Sequence, residues 1–158
     1  SAASDVYKRQ EGVSIAHLKP HGALYNDAAK DADLAVVIAG VAAECGISTI
    51  VGLPSSEVRD AAITHNLHFR AEGFADRAYE DDGSLRARAK NGAVLDDAIE
   101  QARQALELVS GNVTAFSGEP ISLEVHTICL HGDTPGAFEA AKAIREALEA
   151  TGVSIGSD

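Results

Sequence analysis

The stretch Thr127-Ile128-Cys129-Leu130-His131-Gly132-Asp133-Thr134-Pro135-Gly136 decides how this chain is read. It begins as an apolar run of the kind buried inside parallel sheets and ends in a His and an Asp. Thr134 and Pro135 then offer an N-cap and a first helical turn. Delivering polar groups to the C-terminal end of a strand, just before a helix, is how α/β enzymes build sites.

Outward from this stretch the same alternation recurs. Val13 to Leu18, Ser48 to Leu53 and Leu67 to Glu72 are short apolar runs that predict strands. Between them lie a loop, an Ala-rich helical stretch from Asp31 to Cys45 stopped by Gly46, and a helix capped by Ser55 or Ser56 that runs to His65. Asp81-Asp82-Gly83 marks a turn in a long polar loop that ends at Gly92, and periodic leucines predict a helix from Leu95 to Val109. Val113 to Phe116 and Ile121 to Glu124 flank Ser117-Gly118-Glu119-Pro120 as a hairpin or an extended excursion. A helix from Pro135 to Ala150 and a closing strand near Val153 to Ile155 complete the pattern.

Strands separated by helices imply right-handed crossovers and an α/β fold with a mainly parallel sheet. About four βα units are present against the seven or eight of a closed barrel, so the pattern fits part of a (β/α) barrel or a small open doubly wound sheet.

With 158 residues, 46% of them hydrophobic, the chain can bury the core of one ordinary domain. A net charge of -11 argues against a nucleic-acid or anionic-membrane surface, which requires clustered cations. Cations do crowd at Arg70, Arg77, Arg86, Arg88 and Lys90, where a small anion can dock or where they simply pair with the acidic excess. Cys45 and Cys129 lie far apart without CxxC spacing, so no zinc site or disulfide framework is indicated and a reducing, cytoplasmic setting fits. No apolar run approaches the roughly 20 residues of a membrane span. Residues 1–12 show no periodicity and read as a non-native or disordered leader, leaving 13–158 as a single domain.

Three polar clusters follow predicted strands, and fold logic gathers them on one face. In Lys19-Pro20-His21-Gly22-Ala23-Leu24-Tyr25-Asn26, a point cation stands beside a group that titrates near neutrality, which suits carboxylate binding and proton transfer. The plainer alternative is a turn shaped by Pro20 and Gly22. In Glu72-Gly73-Phe74-Ala75-Asp76-Arg77-Ala78-Tyr79, Arg77 can clamp a carboxylate or phosphate while Asp76 orients a His or accepts a proton, or the two form a structural ion pair. The structural pair is the commoner reading for adjacent Asp and Arg, and the long, lid-like loop that follows brings the two readings level.

His131 and Asp133, two residues apart on an extended segment, point the same way. They are base and orienter, or two ligands of a divalent metal; otherwise Asp133 or Thr134 caps the next helix and His131 is buried. His17, His65, His68 and His126 are weaker candidates. No GxSxG elbow, Gly-rich phosphate loop or HExxH helix is present.

LKPHGALYN, GFADRAY with its trailing DG and GA, and ICLHGDTPGA together resemble the LamB/YcsF family, in wording, order and separation. The resemblance covers about Val13 to the C-terminus. It implies a (β/α) barrel related to polysaccharide deacetylases, here without roughly the first third and its N-terminal strands, in agreement with the unit count. It further implies the work of a 5-oxoprolinase A subunit: opening the lactam of 5-oxo-L-proline to L-glutamate with ATP and Mg, alongside B and C subunits. On that likeness His21, Asp76, His131 and Asp133 are catalytic, and Lys19, Tyr25 and Arg77 bind substrate. A metal-dependent, deacetylase-like hydrolase of carbohydrate or amide substrates is the alternative, and a third expectation is a chain inactive by itself. Gly73 departs from the family, which more often has an apolar residue there, and is expected to loosen the end of the third strand.

Overall fold

The computed structural model describes residues 15–156. The leader at 1–12 and the first two residues of the strand expected at Val13 to Leu18 lie outside the described residues. The chain divides into two compact units, one running to Gly52 and taking in Ser56–Phe69, the other made of Leu53–Ser55 and Arg70 onward.

In the first unit the expected opening strand shrinks to one parallel bridge between Leu18 and Ile50. Leu18 N–H donates to the Thr49 carbonyl and Val51 N–H to the Leu18 carbonyl, each at 2.9 Å. A short helix, α1 (Ala23–Ala28), occupies what reads as loop in the sequence. Helix α2 (Ala32–Glu44) begins as expected at Asp31, whose side chain accepts the Leu34 N–H at 3.0 Å. It ends where Gly46, at φ +68°, lets Ile47 N–H reach back to the Ala42 carbonyl.

Strand β1 (Thr49–Gly52) and helix α3 (Glu57–Thr64) follow. Ser56 stands at the N-cap of α3 without a side-chain capping bond. Strand β2 (His68–Phe74) opens in this unit, His68 N–H donating to the Ser48 carbonyl at 2.8 Å. Ala35, Ile38, Ala39, Ala42, Ile50, Val58 and Ala62 form the core, small enough in side chain for α2 and α3 to pack closely.

In the second unit β2 pairs in parallel with β5 (Thr127–Cys129), Glu72 opposite Thr127, Gly73 opposite Ile128 and Phe74 opposite Cys129. The loosening expected at Gly73 is not seen: it pairs in register within β2. A Cβ there would lie 2.9 Å from Leu108 Cδ2 and 3.1 Å from Val125 Cγ1, so a larger residue requires those side-chain ends to shift.

Helix α4 (Ala98–Val109) starts three residues later than the leucine periodicity suggests. Leu95 N–H is held by the Asp76 carbonyl, and Asp97 then caps the helix by accepting from Ile99 N–H at 2.8 Å and Glu100 N–H at 3.0 Å. The hairpin is antiparallel, β3 (Asn112–Thr114) against β4 (Pro120–Ser122).

Helix α5 (Ala137–Ala150) packs on α4 around Ala102, Ala105, Ile144 and Leu148. The expected Thr134–Pro135 cap is replaced by Gly136 at φ +83°, with no side-chain cap. No strand forms at 153–155: Val153 is packed against the end of α5 itself, its N–H returning to the Leu148 carbonyl behind Gly152. The described residues thus form an α/β fold with parallel pairing between strands distant in sequence.

Candidate active site

The end of β2 is pinned from three directions. Gln104, 3% exposed on α4, donates its side-chain amide to the Phe74 and Arg77 carbonyls at 2.7 Å each and to Ala75 at 3.3 Å. The Tyr79 hydroxyl accepts the Phe74 N–H at 2.7 Å. Across the sheet Ala75 N–H donates to the Cys129 carbonyl, and Ala71 N–H to His126 Nδ1 at 3.0 Å. Held this way, the backbone presents Asp76 to the segment that leaves β5.

Asp76 is 3% exposed, and its Oδ2 accepts two bonds from one residue: His131 Nδ1–H at 2.7 Å and His131 N–H at 3.1 Å. The imidazole stacks on Phe74, ring centres 6.0 Å apart. On its far side Arg88 Nη2 donates to Nε2 at 3.1 Å. A guanidinium only donates, so this contact assigns Nε2 the acceptor role and Nδ1–H the donor role toward Asp76. Asp76, His131 and Arg88 therefore form a relay that fixes one tautomer. The second Asp76 oxygen, Oδ1, is buried and accepts no hydrogen bond among the described residues.

Other expected residues sit differently. Arg77 is 4% exposed, with Nε on the Ala93 carbonyl at 3.1 Å and Nη2 on the Arg86 carbonyl at 2.6 Å. Burial first, and then the nearby Arg88 charge, hold its pKa below the usual value, with Asp76 opposing. Two of its nitrogens therefore hold the loop rather than an anion.

That loop is fastened rather than loose: Glu80 binds Lys90 at 2.8 Å and Arg86 at 3.0 Å, and Arg86 lies over the Phe116 ring at 3.5 Å. The bond to Lys90 leads in holding the Glu80 carboxyl below its ordinary value. The extended segment expected to carry both His131 and Asp133 is absent, because β5 stops at Cys129 and Gly132–Asp133 turn; Asp133 is exposed.

In the first unit Lys19 Nζ lies 5.9 Å from the ring centre of buried Tyr25, and His21 is exposed beside Gly22, which turns the chain at φ +62°. Elsewhere, His65 Nδ1 bonds the Ala61 carbonyl, while His17 and His68 are exposed.

Two residues of the site do not stand out in the sequence. Arg88 is there only one of a basic group, and Gln104 lies inside the leucine period of α4, where Gln101 and Gln104 on the buried face are the available signal. A divalent metal finds no complete donor set: no group of three or more His, Cys, Asp and Glu side chains able to hold one is present among the described residues. No helix among them is long and apolar enough to cross a membrane.

The chain as a whole is similar to known proteins. The 5-oxoprolinase A subunit of Chloroflexus aggregans is 47% identical over 149 residues, 93% of this chain and 59% of that protein. The same-named protein of Pyrococcus furiosus is 43% identical over 151 residues, 94% of this chain and 59% of its own. A crystal structure of a lactam utilization protein from Thermus thermophilus matches with a TM-score of 0.87 at 35% identity, over 99% of this chain and 63% of that one. The chain spans about three-fifths of the length of these relatives. The family match runs over residues 2–157 and takes in most of the stretch read as a leader; the chain belongs to the LamB/YcsF family.

Proposed function

We propose that this chain serves as, or within, the A subunit of an ATP-dependent 5-oxoprolinase, opening 5-oxo-L-proline to L-glutamate in the cytoplasm with B and C subunits. The names of its relatives support the activity, and the Asp76–His131 pair carries the chemistry. The barrel implied by the family is part of the same reading.

A lactam carbonyl is a poor electrophile, and ATP supplies activation by phosphorylating its oxygen. His131 Nε2 takes a proton from water as the water oxygen bonds to the ring carbonyl carbon. The C–N bond then breaks as the ring nitrogen takes that proton from the imidazolium, which returns the lone pair to Nε2, and a second water cleaves the resulting acyl phosphate to L-glutamate and inorganic phosphate. Asp76 keeps the ring oriented and stabilises the transient cation. Lys19, His21, Tyr25, Arg77 and Asp133 enter as substrate-holding or proton-carrying groups, each to be tested by replacement.

The test is glutamate release by the protein mixed with B and C subunits, Mg-ATP and 5-oxo-L-proline. His131→Ala lowers it by about 100-fold or more. An unchanged rate in that variant, with its fold intact, defeats the reading.

A further inference from the structure

Arg88 is the odd cation of its segment. Arg86 and Lys90, on either side, both hold Glu80, and Arg77 is engaged by backbone carbonyls. Arg88 meets no carboxylate among the described residues; its one hydrogen bond goes to a ring nitrogen of His131. That contact uses one of five donors and leaves the charge without an anion, whereas a carboxylate accepts two parallel, charge-assisted bonds from the same fork. A second guanidinium, Arg77, is close enough to repel it.

The backbone around Arg88 is anchored. Lys90 N–H donates to the Ala87 carbonyl at 2.8 Å and Arg86 Nε to the Asn91 carbonyl at 2.9 Å, while Arg88 itself is exposed. A change of rotamer alone can therefore take the guanidinium off His131.

We propose that Arg88 is a two-position gate: it caps His131 Nε2 in this structure, and it leaves that nitrogen to clamp the carboxylate of an anionic ring amide. The base is then uncovered only when such a substrate is bound. The inference rests on the ring-opening role given to His131 above. It makes Arg88 the residue that selects for a charged lactam, because a neutral lactam has no group with which to draw it away. Only a ligand that interacts differently with the two positions shifts their populations, and the carboxylate is that ligand.

Two lactams that differ by the carboxylate decide it: 5-oxo-L-proline and 2-pyrrolidinone. In ¹⁵N spectra of the protein, the His131 Nε2 resonance moves when 5-oxo-L-proline is added and stays when 2-pyrrolidinone is added. In Arg88→Gln it starts at the uncapped position. In the assay with B and C subunits, Arg88→Gln lowers kcat/KM for 5-oxo-L-proline by about 10- to 100-fold, mainly through KM, as expected for a lost charged hydrogen-bond pair. Equal responses to the two lactams, or no movement of Nε2 with 5-oxo-L-proline, overturn the gate. Movement of Nε2 without any glutamate release sustains the gate and overturns the ring-opening role instead.

Discussion

Gln104→Met removes three donated hydrogen bonds while keeping the volume and shape of the side chain. Two of those bonds, at 2.7 Å to the Phe74 and Arg77 carbonyls, are short; the third, at 3.3 Å, is weak. The site is 3% exposed, so water does not replace the lost donors. A buried carbonyl left without a partner costs about 1–3 kcal/mol, and two of them give a loss of about 2–4 kcal/mol once the more favourable burial of the thioether is set against it. In a urea titration this is a lower midpoint with the slope unchanged. Gln101→Met on the same helix face is the internal control. Gln101 donates only one bond, to the Leu95 carbonyl at 2.6 Å, and its own Oε1 is buried without a partner among the described residues, so its replacement costs about 1 kcal/mol or less. If Gln101→Met is as damaging as Gln104→Met, the claim that Gln104 holds the end of β2 is refuted.

Gly73→Ala forces a methyl against Leu108 and Val125 and destabilises by about 1–3 kcal/mol, read from thermal unfolding. Asp97→Ala removes the cap of α4 and costs about 1 kcal/mol by the same measurement. Burial, ahead of any other cause, holds the Tyr79 hydroxyl above its ordinary pKa, so the folded state keeps that proton more tightly. The stability this represents is fully present below the unfolded value of about 10 and is lost as pH rises from there toward the folded value. Tyr79→Phe should flatten that alkaline loss in a series of urea titrations, at a cost of about 1–3 kcal/mol near neutrality for the orphaned Phe74 N–H.

Much of the fold is legible in the sequence because local signals and tertiary packing agree. Asp31 and Gly46 bound α2 as read, and Ser117 to Pro120 turn a true hairpin. The failures lie where a long-range bond outranks the local pattern. Leu95 looks helical by its period, yet the Asp76 carbonyl takes its N–H and delays α4 to Asp97. Val153 to Ile155 reads as a strand from composition, but Val153 satisfies its burial at the end of α5.

The site shows the same division. Asp76 as the orienter of a His can be read from residue type and strand position, and His131 from the strand that carries it. Their meeting across 55 residues cannot, because it depends on the parallel register of Phe74 with Cys129. The period-2 argument for His131 with Asp133 assumes an extended backbone past Cys129, where the chain instead turns at Gly132.

The hold of Asp76 on His131 is visible in the tautomer of the imidazole. Nitrogen NMR on protein labelled at histidine should show a protonated Nδ1 and an unprotonated Nε2 near neutral pH, with the Nδ1 signal perturbed in Asp76→Asn. A protonated Nε2 with an unprotonated Nδ1 in the unsubstituted protein, or a ring indifferent to Asp76→Asn, would contradict the account of how this site holds its base.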